Sequence, residues 1–122
     1  MRTLVVDDSA LFREALVDLL EEVSDCQVIG VAADGWEAWR VARAARPDLI
    51  LMDVNMPVWD GLEATRRIKA EMPHIRILLL TASSAEEVRE QALSDGAEDC
   101  VDKDASRILL AVKRLAGKRN HI

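Results

Sequence analysis

Short apolar runs alternate along this chain with segments whose apolar residues recur every three or four positions. An apolar run bounded by polar residues is typical of a strand buried on both faces of a parallel sheet. The predicted strands cover residues 3–7, 28–32, 48–53, 75–80 and 100–101. The segments after each strand have the period of a helix with one buried face. Strands that alternate with helices predict an α/β fold, a parallel sheet joined by right-handed crossovers.

Local signals place several helix ends. Ser9 is the predicted N-cap of the first helix. Ser84 and Glu87 have the spacing of a capping box and are predicted to open the fourth helix. Residues 1–117 are predicted to form one domain, and residues 118–122 are predicted to be a tail or the start of a linker.

Carboxylates stand where two of the predicted strands end. Asp7 and Asp8 close the first strand, and Asp53 closes the third. A buried, unpaired charge is costly, so acids at these positions suggest a use. If the two strands are neighbours, the three carboxylates converge at one edge, where their mutual repulsion favours a hard cation such as Mg²⁺. The sequence therefore predicts a metal site at this edge.

Two further polar side chains follow predicted strands. Thr81 directly follows the fourth predicted strand, and Lys103 comes shortly after the fifth. Sites in open parallel sheets form beyond the carboxyl ends of the strands. Acids, a hydroxyl and an ammonium group together can handle a phosphoryl group with a metal, with Asp53 as nucleophile. The chain has no Gly-x-x-x-x-Gly-Lys loop, so nothing indicates ATP as the direct donor.

Composition narrows the classes of function. Half of the 122 residues are hydrophobic, which is typical of a globular domain, and no apolar stretch approaches the ~20 residues that span a bilayer. The formal net charge of −6 argues against direct nucleic acid binding by this domain. Cys26 and Cys100 match no metal or disulfide spacing, and no signal peptide is visible, so we expect reduced thiols in a cytoplasmic protein.

Several short motifs occur in a fixed order along nearly the whole chain. They are Asp7-Asp8, Asp53, Met56-Pro57, Asp60-Gly61, Thr81-Ala82, Gly96-Ala97 and Lys103. In this combination the chain resembles the receiver domain of two-component response regulators. The resemblance implies a flavodoxin-like (CheY-like), doubly wound, five-stranded parallel sheet with strand order 2-1-3-4-5 and five helices.

The same resemblance implies a chemical role for the acids. Asp53 would be the phosphoacceptor, taking a phosphoryl group from the phosphohistidine of a sensor histidine kinase. Mg²⁺ would be held by Asp8, Asp53 and the backbone carbonyl of Asn55, with Asp7 acting through a water molecule. Self-phosphorylation and dephosphorylation would be the only catalysis, so the domain would not be an enzyme acting on an external substrate.

Other positions of the family pattern concern the switch. Thr81 and Lys103 would bind the phosphoryl oxygens, and Asn55 and Ser83 would tune the lifetime of the aspartyl phosphate. Family members usually carry Tyr or Phe three residues before the lysine, as a rotamer switch coupled to the threonine. Here that switch position is Cys100, and the chain has no tyrosine.

The residue after Lys103 bears on which downstream function the domain would control. Lys103-Asp104 resembles the NarL/FixJ-type subgroup, whose receivers are joined to a LuxR-type helix-turn-helix. This implies regulation of transcription through a C-terminal DNA-binding domain outside this chain, with a possible homodimer on phosphorylation and no membrane partner. A stand-alone receiver that acts by protein–protein contact is the alternative.

Two other functions compete with this interpretation. A Mg²⁺-dependent phosphohydrolase would need a second acid two residues after the nucleophile, and that position is Asn55. A receiver-like domain that binds partners without phosphorylation would not need the acids and Lys103, which are all present. Trp59, six residues after Asp53, either lines the rim of the site or packs against a helix.

Overall fold

The computed structural model describes residues 1–119, which form five strands and five helices in strict alternation. In chain order the elements are β1 Arg2–Val6, α1 Ala10–Leu20, β2 Gln27–Ala32, α2 Gly35–Ala45, β3 Leu49–Asp53, α3 Gly61–Glu71, β4 Arg76–Thr81, α4 Ala85–Ser94, β5 Asp99–Asp102 and α5 Ala105–Arg119. Each predicted strand and helix is present, with ends that differ by a few residues at most from the predicted ones.

All four strand pairings are parallel, in the order β2-β1-β3-β4-β5. This confirms the doubly wound fold that the resemblance implied. Val6 pairs with Met52 on the neighbouring strand, and Thr81 pairs with Asp102. Because parallel strands end at the same edge, the carboxyl ends of β1, β3, β4 and β5 lie together.

Helices cover both faces of the sheet. Side chains of β1, β3 and β4 point alternately to the two faces, as the pleat requires. Leu4, Ile50 and Ile77 pack with the apolar sides of α2, α3 and α4, whereas Val5 and Leu51 pack with those of α1 and α5. Every residue of β3 is buried, so its apolar side chains contact both layers and its last residue, an acid, is forced into a buried position.

One of the two predicted helix caps is confirmed. The Ser9 hydroxyl accepts a hydrogen bond from the Phe12 N–H at 3.2 Å. The Ser84 side chain makes no capping hydrogen bond, so the predicted capping box is wrong. The carboxylate of Asp102 instead accepts the Ala85 N–H at 2.9 Å, because β5 runs beside the start of α4.

The last helix is longer than the sequence pattern indicated. We predicted a tail from residue 118, whereas α5 continues through Arg119; residues 120–122 of that predicted tail lie outside the described residues. The division into domain and tail stays a prediction. No helix in the described part of the chain is both long and apolar enough to cross a bilayer.

Candidate functional site

Three carboxylates meet at the carboxyl edge of the sheet. Asp7 and Asp8 follow the last residue of β1, and Asp53 is the last residue of β3. Each offers one oxygen, and these oxygens all lie within 4.8 Å of one another. Asp7 and Asp53 are buried and Asp8 is exposed, so the cluster opens to solvent on the side of Asp8.

Backbone contacts orient the two buried acids. The Ser9 N–H donates to Asp7 Oδ1 at 2.8 Å, and the Asn55 N–H donates to Asp53 Oδ1 at 3.3 Å. Behind Asp53, Gly61 begins α3 against the Asp53 carbonyl, at a distance that leaves no room for a Cβ atom. A glycine here lets the helix start close to the strand end and supports the position of the acid.

Lys103 brings a cation to the buried acids. Its Nζ lies 2.8 Å from Asp7 Oδ2 and 3.3 Å from Asp53 Oδ2. The lysine is held at the end of β5 by its own N–H, which donates to the Thr81 carbonyl at 2.9 Å. Its side chain is 16% exposed, so solvent screens these ion pairs less than it would at an open surface.

The titration of the site follows from burial and charge. Burial raises the pKa of Asp53 above its ordinary value, and the charge of Asp7 adds to the rise; Lys103 and the Asn55 N–H oppose it without cancelling it. Burial acts to lower the pKa of Lys103, but the hydrogen bond to Asp7 and the charges of both acids outweigh it, so this pKa is raised. Lys103 therefore remains an ammonium group at neutral pH.

The acid cluster suits a hard divalent cation. Its donors are all carboxylate oxygens, which are the ligands that Mg²⁺ prefers. Asp7, Asp8 and Asp53 together carry more negative charge than Lys103 can neutralise, so a cation would relieve their repulsion. The residues present therefore fit a magnesium ion that the acids of β1 and β3 could hold.

Two loops border the acids. Thr81, the last residue of β4, is buried, and its Oγ1 accepts the Ser83 N–H at 3.1 Å. Ser83 lies exposed in the loop after β4, and Asn55 lies exposed in the loop after β3. The hydroxyl and the two exposed side chains are thus placed by the ends of β3 and of β4, its neighbour in the sheet.

The predicted switch position carries a fully buried thiol. Cys100 packs in the core on the side of α2, α3 and α4, and burial raises its pKa to about 11. Arg89 of α4 donates to the Cys100 carbonyl at 3.0 Å and to Asp99 Oδ1 at 3.0 Å. The backbone of β5 is therefore tied to α4 at the predicted switch position.

Two neighbours of the acids were not predicted as site residues. The Arg13 guanidinium donates to the Asp7 carbonyl at 2.7 Å, and the ring of Phe12 lies 4.3 Å from Lys103 Nζ. In the sequence Phe12 belongs to the apolar stripe of α1, and this pattern does not indicate its contact with Lys103. The only sequence signal that Phe12 and Arg13 belong to the site was their position one turn after Asp7-Asp8.

Trp59 packs against helices in its described contacts. Its ring lies 5.9 Å from that of Trp39 on α2 in a T-shaped arrangement, and the Arg67 guanidinium of α3 lies 4.2 Å above it. These contacts favour the second of the two placements predicted for Trp59, because they direct the indole toward α2 and α3.

Known proteins that are similar to this chain include a described family and solved structures. A family model described as the response regulator receiver domain matches residues 3–113. Among solved structures, a two-component response regulator of the LuxR family from Aurantimonas sp. SI85-9A1 has a TM-score of 0.90 at 32% identity, over 96% of this chain and 85% of that one.

Curated relatives are longer proteins. A protein-glutamate methylesterase/protein-glutamine glutaminase of Caldanaerobacter subterraneus subsp. tengcongensis is 42% identical over 117 residues, which are 95% of this chain and 32% of that protein. The transcriptional regulatory protein LnrK of Bacillus subtilis is 35% identical over 106 residues, which are 87% of this chain and 48% of that protein. The chain thus spans about a third of the first relative and about half of the second.

Proposed function

This chain belongs to the response regulator receiver domain family, and we propose that Asp53 accepts a phosphoryl group from the phosphohistidine of a sensor histidine kinase. The observation that supports this most is the convergence of Lys103 and two further acids on Asp53, a buried carboxylate at the end of the central strand. A buried acid with a cation on one side and an acid cluster open to solvent on the other suits attack on an incoming phosphoryl group.

The proposed chemistry is a single displacement at phosphorus. A carboxylate oxygen of Asp53 attacks the phosphorus atom, an O–P bond forms and the P–N bond of the phosphohistidine breaks. The imidazole nitrogen keeps the electron pair and takes a proton from solvent. Lys103, an ammonium group 3.3 Å from Asp53 Oδ2, offsets the charge that grows on the transferred group.

We assign Mg²⁺ to Asp8, Asp53 and the backbone carbonyl of Asn55, with Asp7 acting through a water molecule. When bound, the ion supplies positive charge that stabilises the transferred group. The chain's own residues orient the acids, through the Ser9 N–H on Asp7 and the Asn55 N–H on Asp53.

Thr81 is proposed to donate its hydroxyl to a phosphoryl oxygen. Its Oγ1 now accepts the Ser83 N–H, so a turn of the hydroxyl toward Asp53 would change the loop that precedes α4. Asn55 and Ser83, both exposed beside the site, are proposed to tune hydrolysis of the aspartyl phosphate by controlling the access of water.

The signal would leave through the surface formed by α4, β5 and α5. Cys100 has no aromatic ring and cannot act as the usual aromatic switch, so we propose that the ties between α4 and β5 respond instead. These ties are the contacts of Arg89 with Asp99 and Cys100, and that of Asp102 with the first N–H of α4.

A small-molecule phosphoryl donor with Mg²⁺ tests the acceptor. Intact mass should rise by one phosphoryl group in the wild type, and Asp53→Asn should abolish the rise. Asp60→Asn is the matched control, because Asp60 is an exposed acid in the same loop and asparagine also caps a helix. Phosphorylation that survives in Asp53→Asn would contradict the assignment.

The output is proposed to be transcription, through a DNA-binding domain that follows Ile122 in the parent protein. The LuxR-family structural neighbour and the relative LnrK support this choice. A methylesterase output is the second candidate, favoured by the 42% identity with the Caldanaerobacter protein. The coding sequence after Ile122 separates these from a stand-alone receiver: it would encode a helix-turn-helix, a methylesterase domain, or a stop codon.

We further propose that the domain acts in the cytoplasm, binds no nucleic acid or membrane itself, and performs no catalysis beyond its own phosphorylation and dephosphorylation. A homodimer on phosphorylation is proposed through the face of α4 and α5, where Leu93 and Leu110 are exposed apolar side chains. Light scattering before and after phosphorylation tests this: a shift toward dimer is expected, and a monomer in both states would contradict it.

A further inference from the structure

The aromatic ring of Phe12 faces the ammonium group of Lys103. The ring centroid lies 4.3 Å from Nζ, well within the distance at which a cation is attracted to a ring face. Phe12 is the only phenylalanine of the chain, and it stands on the first turn of α1, one turn after the paired acids. Its ring is half-buried, as is Lys103.

Phe12 belongs to the apolar stripe of α1, but its position in that stripe does not by itself explain its contact with Lys103. Phe12 and the lysine side chain share a groove between α1 and α5. The other residues that line it are Ala15, Leu16, Leu19, Ala105 and Ile108, all apolar. A ring at the end of an apolar groove limits the water that can reach the ammonium group from that side, which strengthens its interaction with nearby charges.

The ring holds Lys103 in a way that the acids do not. Lys103 is also bound to Asp7 at 2.8 Å and to Asp53 at 3.3 Å, and both acids have other tasks in the proposed reaction. The attraction between a cation and a ring face depends on the ring quadrupole and not on the ionisation or the other ligands of a carboxylate. The ring contact can therefore persist when the contacts with the acids change.

We propose that Phe12 is a positioning residue for phosphoryl transfer: its ring keeps the Lys103 ammonium group beside Asp53 while the carboxylates change partners. This inference rests on the proposed function of Asp53 as phosphoacceptor. Phe12 acts through Lys103 alone and has no direct part in the displacement at phosphorus.

The contact itself is tested first, in metal-free protein. A proton above a ring face is shifted upfield, so the ε-methylene protons of Lys103 should resonate upfield of those of exposed lysines. Lys103→Arg identifies the signal. Phe12→Leu should move it to the ordinary position, whereas Phe12→Tyr, which retains the ring face, should keep it upfield. An unchanged signal in Phe12→Leu would overturn the proposal.

The effect on the reaction is measured with a small-molecule phosphoryl donor and saturating Mg²⁺. Phe12→Leu should slow phosphorylation of Asp53 by about three- to tenfold, the range expected for one cation–π contact. Phe12→Tyr should restore the rate to near that of the wild type. Equal rates in the wild type and Phe12→Leu would overturn the positioning role and leave Asp53 as phosphoacceptor.

A packing control separates positioning from loss of apolar contact. Leu19 lines the same groove but is not a partner in the contact between Phe12 and Lys103, so Leu19→Ala removes apolar atoms there while both partners remain. Its rate should match that of the wild type, even if its melting temperature falls. A loss in Leu19→Ala as large as that in Phe12→Leu would overturn the proposal. A wild-type protein that accepts no phosphoryl group would remove the proposed function and this role together, whereas the resonance shift would still decide the contact.

Discussion

Asp53 is an acid that burial makes costly to ionise. Its pKa is raised chiefly by burial, and the folded protein therefore binds this proton more tightly than the unfolded chain does. The sign follows from linkage: ionisation of Asp53 lowers the free energy of unfolding as the pH rises through and above the ordinary range of an aspartate, about 4. The folded protein is thus less stable when Asp53 is in its charged, reactive form.

Replacement of Asp53 by a neutral isostere should stabilise the metal-free protein. We expect Asp53→Asn to melt at a higher temperature than the wild type at pH 7 with a chelator present. The gain should shrink as the pH falls through the raised pKa of Asp53 toward the ordinary value of about 4, because the wild-type acid then becomes protonated as well. Thermal melts across this pH range check it, with the exposed acid variant Asp60→Asn as control. A gain that is independent of pH would show that the buried charge of Asp53 is not its cause.

Val58, in the loop after β3, adopts a backbone conformation that β-branched residues rarely take. Its φ is +68°, and the residue is 72% exposed, so little burial offsets the strain. Val58→Gly should raise the free energy of unfolding by about 0.5–1 kcal/mol, since relief of a left-handed conformation exceeds the entropy cost of glycine. Urea denaturation measures the change.

The control for Val58 is another exposed valine. Val31 lies in β2 and is 47% exposed, without a positive φ. Val31→Gly should lower the free energy of unfolding, because glycine weakens a strand. Equal destabilisation by the two substitutions would contradict the strain assigned to Val58.

Among individual residues, the sequence predicted those site residues that are positioned by the ends of strands. Asp7, Asp53 and Thr81 could be placed because a buried strand ends at a known edge of a parallel sheet. Phe12 and Arg13 could not be assigned to the site, because their contacts depend on how α1 tilts against the ends of β1 and β5. That geometry is set by packing and not by the local pattern.

The helix α4 takes its N-terminal cap from a neighbouring strand. Asp102 of β5 accepts the Ala85 N–H, and the Ser84 side chain makes no cap hydrogen bond. Asp102→Ala should therefore cost about 1 kcal/mol of stability, as the loss of a helix cap does. Ser84→Ala should stay within about 0.5 kcal/mol of the wild type. Urea denaturation compares them, and a larger cost for Ser84→Ala would contradict the assignment.

This difference shows what a local rule can and cannot predict for an element. Ser84 and Glu87 satisfy the capping-box spacing, and α4 does begin at Ala85. The start of the helix was therefore predictable from the sequence. The residue that caps it was not, because Asp102 lies 17 residues away from Ala85 in the chain. A cap that crosses from β5 also couples α4 to the strand that immediately precedes Lys103.

For the whole molecule, the alternation of strands and helices predicted the parallel sheet and its layers. It did not predict which strands are neighbours, because the apolar runs of β1, β3 and β4 are equally suited to any central position. The order 2-1-3-4-5 came from the resemblance to receiver domains, and the register confirms it. The convergence of Asp7 with Asp53 depends on that order, since it makes β1 and β3 neighbours.

The most direct test of Asp53 as phosphoacceptor is chemical identification of the phosphorylated residue. Protein treated with a small-molecule phosphoryl donor and Mg²⁺ is reduced with borohydride, which converts an aspartyl phosphate to homoserine, and its peptides are sequenced by mass spectrometry. We expect homoserine at position 53 alone. Homoserine at position 7, 8 or 60, or a phosphorylated protein with aspartate intact at position 53, would contradict the proposed function.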